Sequence, residues 1–188
     1  NVIDAAPNLR IVARRGVGID SVDVKHAKER GIEVARTLNV LEAAVAELVM
    51  AYVLHFSRRV AHMSESMQQG LWDKKMAFSL EGKTMGILGL GKIGEQVAKR
   101  AAAFDMRVLY HNRTPNLEGE KRFGAIYVTF HELLTKSDFL SLHVPLNDAT
   151  TSLIDQEQLM LMKPSAVLIN TARGGIVNLR ALESALRE

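Results

Sequence analysis

From Leu41 to Gln68 the apolar positions Leu41, Val45, Leu48, Val49, Tyr52 and Phe56 fall three and four apart. That spacing puts them on one face of an α-helix and predicts a single helix over the span. At ~1.5 Å per residue it would run ~40 Å, enough to cross between two domains. Ahead of it, the run Leu9 to Ala13, a glycine-containing turn, a helix from near Ser21 or Asp23, Gly31 at its stop and the run Ile32 to Ala35 read as β-α-β. The opening residues have a strand-like pattern. This stretch is too short to bury a core alone, so residues 1–40 read as the C-terminal part of one domain and 41–188 as a second.

Beyond a loop from Gly70 to Gly82 the pattern becomes regular. It predicts strand Thr84 to Leu88, helix Ile93 to Phe104, strand Arg107 to Tyr110 and strand Ala125 to Val128. A helix opened by the capping box Thr129 to Glu132 follows, then strand Phe139 to Val144, helix Asp155 to Leu161, strand Ala166 to Asn170 and a helix opened by Asn178. Alternating strands and helices predict the α/β class, with a doubly wound parallel sheet of the Rossmann kind.

Composition narrows the chemistry. The longest apolar run, Leu48 to Leu54, is far below the ~18 residues that a membrane-spanning helix needs. Cysteine is absent, which excludes disulfides, thiolate metal sites and cysteine nucleophiles and is compatible with a reducing compartment. The 24 basic residues are interleaved with 21 acidic ones, and only 5% of residues are aromatic, so neither a basic face nor a stacking platform for nucleic acid is expected. None of the six histidines has metal-ligand spacing, and no metal is expected. The chain opens on Asn1 with no basic or apolar leader and reads as a piece of something longer.

The run Gly89-Leu90-Gly91-Lys92-Ile93-Gly94 has Gly-x-Gly-x-x-Gly spacing where an apolar strand meets an Ala-rich helix. Gly89 suits the tight turn, Gly91 allows backbone to approach a pyrophosphate, and Gly94 allows close helix–strand packing. The helix N-terminus adds free N–H groups and partial positive charge. The alternative is a glycine-rich turn with no ligand. In an NAD site an acid about 20 residues on takes the ribose hydroxyls. Here the segment is Val108-Leu-Tyr-His-Asn-Arg113, with Asn112 in the acid's place. A carboxylate ~4 Å from a 2′-phosphate would cost up to ~4 kcal/mol at an effective dielectric near ~20. Arg113 reverses that sign and can donate paired hydrogen bonds to the phosphate, so NADP(H) is expected ahead of NAD(H). The alternative is an exposed loop arginine.

Five segments together give a resemblance that covers essentially the whole chain: Gly16-Val-Gly-Ile-Asp-Ser-Val-Asp23, Asn39-Val-Leu-Glu-Ala-Ala-Val-Ala-Glu47, Gly89 to Gly94, His143-Val-Pro-Leu146 and Ile169-Asn-Thr-Ala-Arg-Gly-Gly175. In this order they resemble the D-isomer-specific 2-hydroxyacid dehydrogenases, and His111-Asn-Arg113 resembles their NADPH-preferring glyoxylate and hydroxypyruvate reductases. The resemblance implies that residues 1–40 are a remnant of a flavodoxin-like substrate domain. It implies that Arg173 is the catalytic arginine, that Val17 and Gly18 offer backbone N–H groups to a substrate carboxylate, that Val144 and Pro145 border the cofactor ribose, and that Thr171 and Ala172 line the nicotinamide half. Leu90, Lys92 and Ile93 belong to the cofactor turn, although Lys92 also reads as a solvated side chain. It further implies a small 2-oxo acid substrate, a homodimer and a cytoplasmic enzyme.

The family's glutamate and acid/base histidine beyond the catalytic arginine match no position up to Glu188. The residues given are therefore expected to bind dinucleotide better than they turn over substrate. The alternatives are a dinucleotide-sensing co-repressor of the same family and a 3-phosphoglycerate-type dehydrogenase. A methyltransferase is disfavoured by the Arg173 loop.

Overall fold

The computed structural model describes residues 2–187, and contacts divide the chain into two compact units, residues 1–42 and 43–188. The first unit holds α1 (Val2–Ala5), β1 (Ile11–Arg14), α2 (Val24–Glu29) and β2 (Glu33–Arg36), with the two strands parallel and in register from Ile11↔Glu33 to Arg14↔Arg36. The strand expected at the very start is instead a helical turn. Ile3 is buried there against Ala27 and Ile32, and Asp4 reaches His26 at 2.7 Å and Arg30 at 3.0 Å. Asp23 caps α2 by accepting from the His26 N–H, and Gly31 ends it at φ +68°.

The single long helix expected over 41–68 is two helices, α3 (Glu42–Arg58) and α4 (Val60–Gln68), with Arg59 between them at φ 55°, ψ 34°. At ~1.5 Å per residue α3 is only ~25 Å long. Ser57 accounts for the break. Its carbonyl accepts from the Phe78 N–H at 3.1 Å, so a loop occupies the acceptor that the next helical turn would use.

In the second unit the chain continues through β3 (Thr84–Leu88), α5 (Lys92–Ala103), β4 (Arg107–His111), α6 (Leu117–Phe123), β5 (Ile126–Tyr127), α7 (Phe130–Lys136) and β6 (Phe139–Leu142). It then forms α8 (Gln156–Leu161), β7 (Val167–Asn170), a 3-10 turn at Gly174–Ile176 and α9 (Leu179–Arg187). The five strands form one parallel sheet in the order β5-β4-β3-β6-β7. This is a Rossmann-like α/β unit, as the alternation predicts. The order reverses between β3 and β6, which opens a crevice at their carboxyl ends, where such sheets bind ligands.

Helix α6 departs from the sequence expectation, which ran directly from β4 to β5. Seven residues with Gly119 among them carry little helical pattern. The ends are nevertheless defined: the Asn116 side chain accepts from the Gly119 N–H, Gly124 follows at φ +64°, and Glu120 accepts from the Tyr110 hydroxyl at 2.7 Å. Helices cover both faces of the sheet, so the strands are buried on both sides. Met85, Ile87, Val108, Tyr110 and Phe139 pack with α3 and α5 on one face, whereas Leu88, Leu109, Leu140 and Leu142 pack with Leu133 and Leu134 of α7 on the other. No helix of the described residues is long and apolar enough to cross a membrane, and no described group of His, Asp or Glu has the makings of a metal site.

Candidate functional site

The three glycines after β3 are there for three different reasons. Gly89 sits at φ +101°, and a Cβ on it would meet the His143 main chain at 2.9–3.0 Å. A Cβ on Gly94 would strike the Gly89 carbonyl, so the helix lies against the turn only because this residue lacks one. Gly91 is different. It is the N-cap of α5, and nothing lies within 4 Å of where its Cβ would stand. No protein atom requires a glycine at that point, which leaves room for a ligand to approach the first turn of a twelve-residue helix. Lys92 and Ile93 open that helix, with Lys92 exposed.

Leu90, between the first two glycines, is fixed in place. Its side chain is 1% exposed, its N–H donates to Asn112 Oδ1 at 2.6 Å, and its carbonyl accepts from Asn116 Nδ2 at 3.0 Å. Asn112 thus stands at the end of β4 where an acid was expected, but its side chain faces the turn. Arg113 is exposed beside it and makes no hydrogen bond or ion pair among the described residues.

Asn112, Arg113, Val144 and Pro145 line one cavity of about 220 Å³ over the carboxyl ends of β3, β4 and β6. Its remaining wall includes His111, which sequence reasoning met only as part of the His111-Asn-Arg113 run, and Leu88, Phe130, Asn147 and Thr150, which it missed. Phe130 directly follows the Thr129 cap of α7, and Asn147 and Thr150 come from a loop without a glycine, so nothing in their local pattern points to a ligand. His111 is aimed by its own contacts: Nδ1 donates to the Val128 carbonyl at 2.9 Å, and the ring stacks on Tyr127 at 5.6 Å. Thr150 closes the loop by donating to the Pro145 carbonyl at 2.6 Å.

Across the crevice, Thr171, Ala172 and Arg173 follow β7. Asn170 organises them, accepting from the Ala172 N–H at 3.0 Å and donating to the Arg173 carbonyl at 2.8 Å. Arg173 is half-buried, and its Nη1 donates to the Ala172 carbonyl at 2.9 Å. Gly175 packs on Leu146, where a Cβ would come within 3.3 Å, while Gly174 has open space around it. The Thr171 hydroxyl is buried with no hydrogen-bond partner among the described residues. Buried hydroxyls are rarely left so, and one is expected where a ligand supplies the partner.

His143 joins the two halves. Its N–H donates to the Leu88 carbonyl at 2.8 Å, Nε2 lies 2.8 Å from Ser141 Oγ, and burial pulls its pKa down to about 4. It is a neutral structural group beneath the glycine turn. Val17 and Gly18 lie in the other unit, in the loop after β1, where their N–H groups donate to no described residue and the Val17 carbonyl accepts from Arg36 at 3.2 Å.

Residues 50–188 match the family described as D-isomer specific 2-hydroxyacid dehydrogenase, NAD binding domain. The chain belongs to that family. Over 196 residues it is 43% identical to the glyoxylate reductase of Thermococcus litoralis, covering 100% of this chain and 59% of that protein. Against the hydroxypyruvate reductase of Thermotoga maritima identity is 41% over 184 residues, covering 97% and 59%. The D-lactate dehydrogenase from Aquifex aeolicus, solved with NAD and lactic acid, superposes with a TM-score of 0.90 at 33% identity over 99% of this chain and 56% of that one. The chain therefore spans about three fifths of the length of the curated relatives it matches. As a 2-hydroxyacid dehydrogenase domain of the NAD-binding type it takes a nicotinamide dinucleotide. Two features fit one: the space at Gly91 and the unpartnered Thr171 hydroxyl.

Proposed function

We propose that the chain is the dinucleotide-binding part of an oxidoreductase that converts small 2-oxo acids such as glyoxylate or hydroxypyruvate to 2-hydroxy acids, with NADPH as its preferred cofactor. The observation that carries the cofactor preference is the end of β4. Asn112 spends its acceptor on the Leu90 N–H, no carboxylate is present in that segment, and the Arg113 guanidinium, which makes no hydrogen bond or ion pair among the described residues, stands beside it on the cavity wall. A 2′-phosphate there meets a bidentate cation where a ribose hydroxyl would need an acceptor.

The remaining roles are those the family resemblance implies for these residues. The first turn of α5, opened by Gly91, receives the pyrophosphate, with Gly89 and Gly94 shaping the approach. Val144 and Pro145 border the ribose, and Thr171 and Ala172 the nicotinamide half. When bound, the cofactor supplies a hydride to the keto carbon. Arg173 polarises the 2-oxo group and holds the substrate carboxylate. Val17 and Gly18, whose N–H groups donate to no described residue, are read as substrate-binding on the family resemblance. A proton must reach the oxygen in the same step, and none of the six histidines here is assigned that role.

Residues 1–40 are read as part of a substrate domain, and the enzyme as a cytoplasmic homodimer. The second copy is suggested by apolar side chains left in water around α4: Met67 at 60% exposure, Trp72 at 73% and Met76 at 92%.

The test is a pair of binding isotherms, NADPH and NADH, on the native protein and on the Asn112→Asp, Arg113→Ala double variant. An aspartate at 112 keeps the bond to the Leu90 N–H and adds the missing charge. The expected outcome is a native preference for NADPH that moves toward NADH by ~1 to 3 kcal/mol in relative affinity. A native protein that prefers NADH overturns the cofactor assignment.

A further inference from the structure

The segment that carries Arg113 is tied at both ends to a single residue. Asn112, at its start, accepts from the Leu90 N–H at 2.6 Å, and Asn116, at its end, donates to the Leu90 carbonyl at 3.0 Å. Asn116 makes more contacts than an N-cap needs. The same Nδ2 donates to Glu95 Oε1 at 2.9 Å in the first turn of α5, Oδ1 accepts from the Gly119 N–H at 2.9 Å, and the main-chain N–H donates to the Tyr110 hydroxyl at 2.7 Å. Tyr110 in turn donates to Glu120 of α6. One asparagine therefore joins the glycine turn, the following helix, β4 and α6.

Packing points the same way. Gly119 lies in α6 directly over Leu90, and a Cβ on it would come within 2.8 Å of Leu90 Cδ2 and 3.1 Å of Asn116 Nδ2. Leu90 is thus clamped through its N–H, its carbonyl and its side chain. Two of those three holds come from α6 and its cap. A helix that lines no part of the cavity is built to grip the residue at the centre of the cofactor turn.

We infer that Asn116 is a positioning residue for cofactor selection: by pinning the end of the 112–116 segment to the Leu90 carbonyl, it holds the Arg113 guanidinium in register with the glycine turn. Arg113 itself is exposed and unsupported, and a long side chain on an untethered loop loses more conformational freedom on binding than one on a loop already fixed. The tether meets that cost before the ligand arrives. Release of Asn116 should therefore weaken recognition of the 2′-phosphate more than recognition of the shared parts of the two dinucleotides. Asn112, Gly89 and Gly94 still hold the turn when Asn116 is gone.

This inference rests on the reading of Arg113 as the 2′-phosphate ligand, and the experiment separates the two. NADPH and NADH affinities are measured by titration calorimetry for the native protein, Arg113→Ala, Asn116→Ser and Gly119→Ala. Serine keeps an acceptor for the Gly119 N–H, and so the cap of α6, but removes the amide donor to Leu90 and Glu95. Thermal melting checks that each variant folds. Asn116→Ser is expected to lose roughly tenfold in NADPH affinity with NADH nearly unchanged, and Gly119→Ala to shift the ratio in the same direction. Should Asn116→Ser fail to fold, the ratio in Gly119→Ala decides. A selective loss in Arg113→Ala, with the NADPH to NADH ratio intact in the folded 116 and 119 variants, overturns the positioning role alone. No selective loss in Arg113→Ala overturns the underlying reading as well.

Discussion

Arg173 is placed by its own loop. Asn170 holds the main chain on either side of it, and the Ala172 carbonyl takes one N–H of the guanidinium, so the side chain is oriented by bonds that do not involve substrate. Such preorganisation is what makes a cation effective against charge that develops on a keto oxygen. On the proposed function, Arg173→Ala should leave NADPH affinity nearly intact, since the arginine is assigned there to the substrate and not to the pyrophosphate. Removing a transition-state donor costs ~2.7 to 4 kcal/mol, so kcat/KM should fall roughly 10²- to 10³-fold. Lysine should recover only part of this, because an ammonium lacks the planar fork. Steady-state kinetics with glyoxylate beside an NADPH isotherm checks both halves, and an unchanged kcat/KM sinks the assignment.

Elements whose cause lies within a few residues behave as the chain's pattern predicts. The capping box of α7 is one: Thr129 Oγ1 accepts from the Glu132 N–H at 3.2 Å, and Glu132 Oε2 accepts from the Thr129 N–H at 3.2 Å. The bond to Lys136, with those to Thr129, holds the Glu132 carboxyl down at about 2. Its contribution is present above the ordinary glutamate range and is lost only as pH falls through that value. Thr129→Ala should cost about 1 kcal/mol in urea unfolding at neutral pH, and a variant with native stability would contradict the cap.

The same locality explains what was legible. The glycine turn, β3, β4, β6 and the cap at Thr129 are written in neighbouring residues. The break at Arg59 is not, because it depends on a Phe78 N–H nineteen residues further on. Nor is α6, which is secured by Tyr110 and Leu90 rather than by its own periodicity. The candidate site divides likewise: Asn112, Arg113 and Arg173 follow strand ends and were readable. Phe130, Asn147 and Thr150 reach the cavity only through the way the sheet brings loops together.

At the scale of the whole molecule, the two halves of the crevice meet at His143, and this makes the fold sensitive to acid. Burial lowers its pKa to about 4 from an ordinary 6.5. Between those values the unfolded chain binds a proton that the folded one refuses, so stability falls as pH drops through this window, by up to about 3 kcal/mol. Asp138 acts lower. Burial alone would raise it, but Lys163 at 2.8 Å and the Thr84 N–H at 2.7 Å outweigh that and depress it, so its contribution is present above the ordinary aspartate range and lost only in stronger acid. His26, on the surface of residues 1–42, has the opposite sign: its hydrogen bond to Asp4 raises its pKa, and its contribution fades as pH rises. The His143 effect is therefore read as a difference between native protein and His143→Gln, which can keep a bond to Ser141 but does not titrate. Urea midpoints at pH 7, 6 and 5 should fall more steeply in the native protein than in the variant. NADPH at a hundred times its Kd should add about 2.7 kcal/mol to either protein by mass action alone. Parallel pH profiles for the two proteins would remove His143 as the cause of the acid sensitivity.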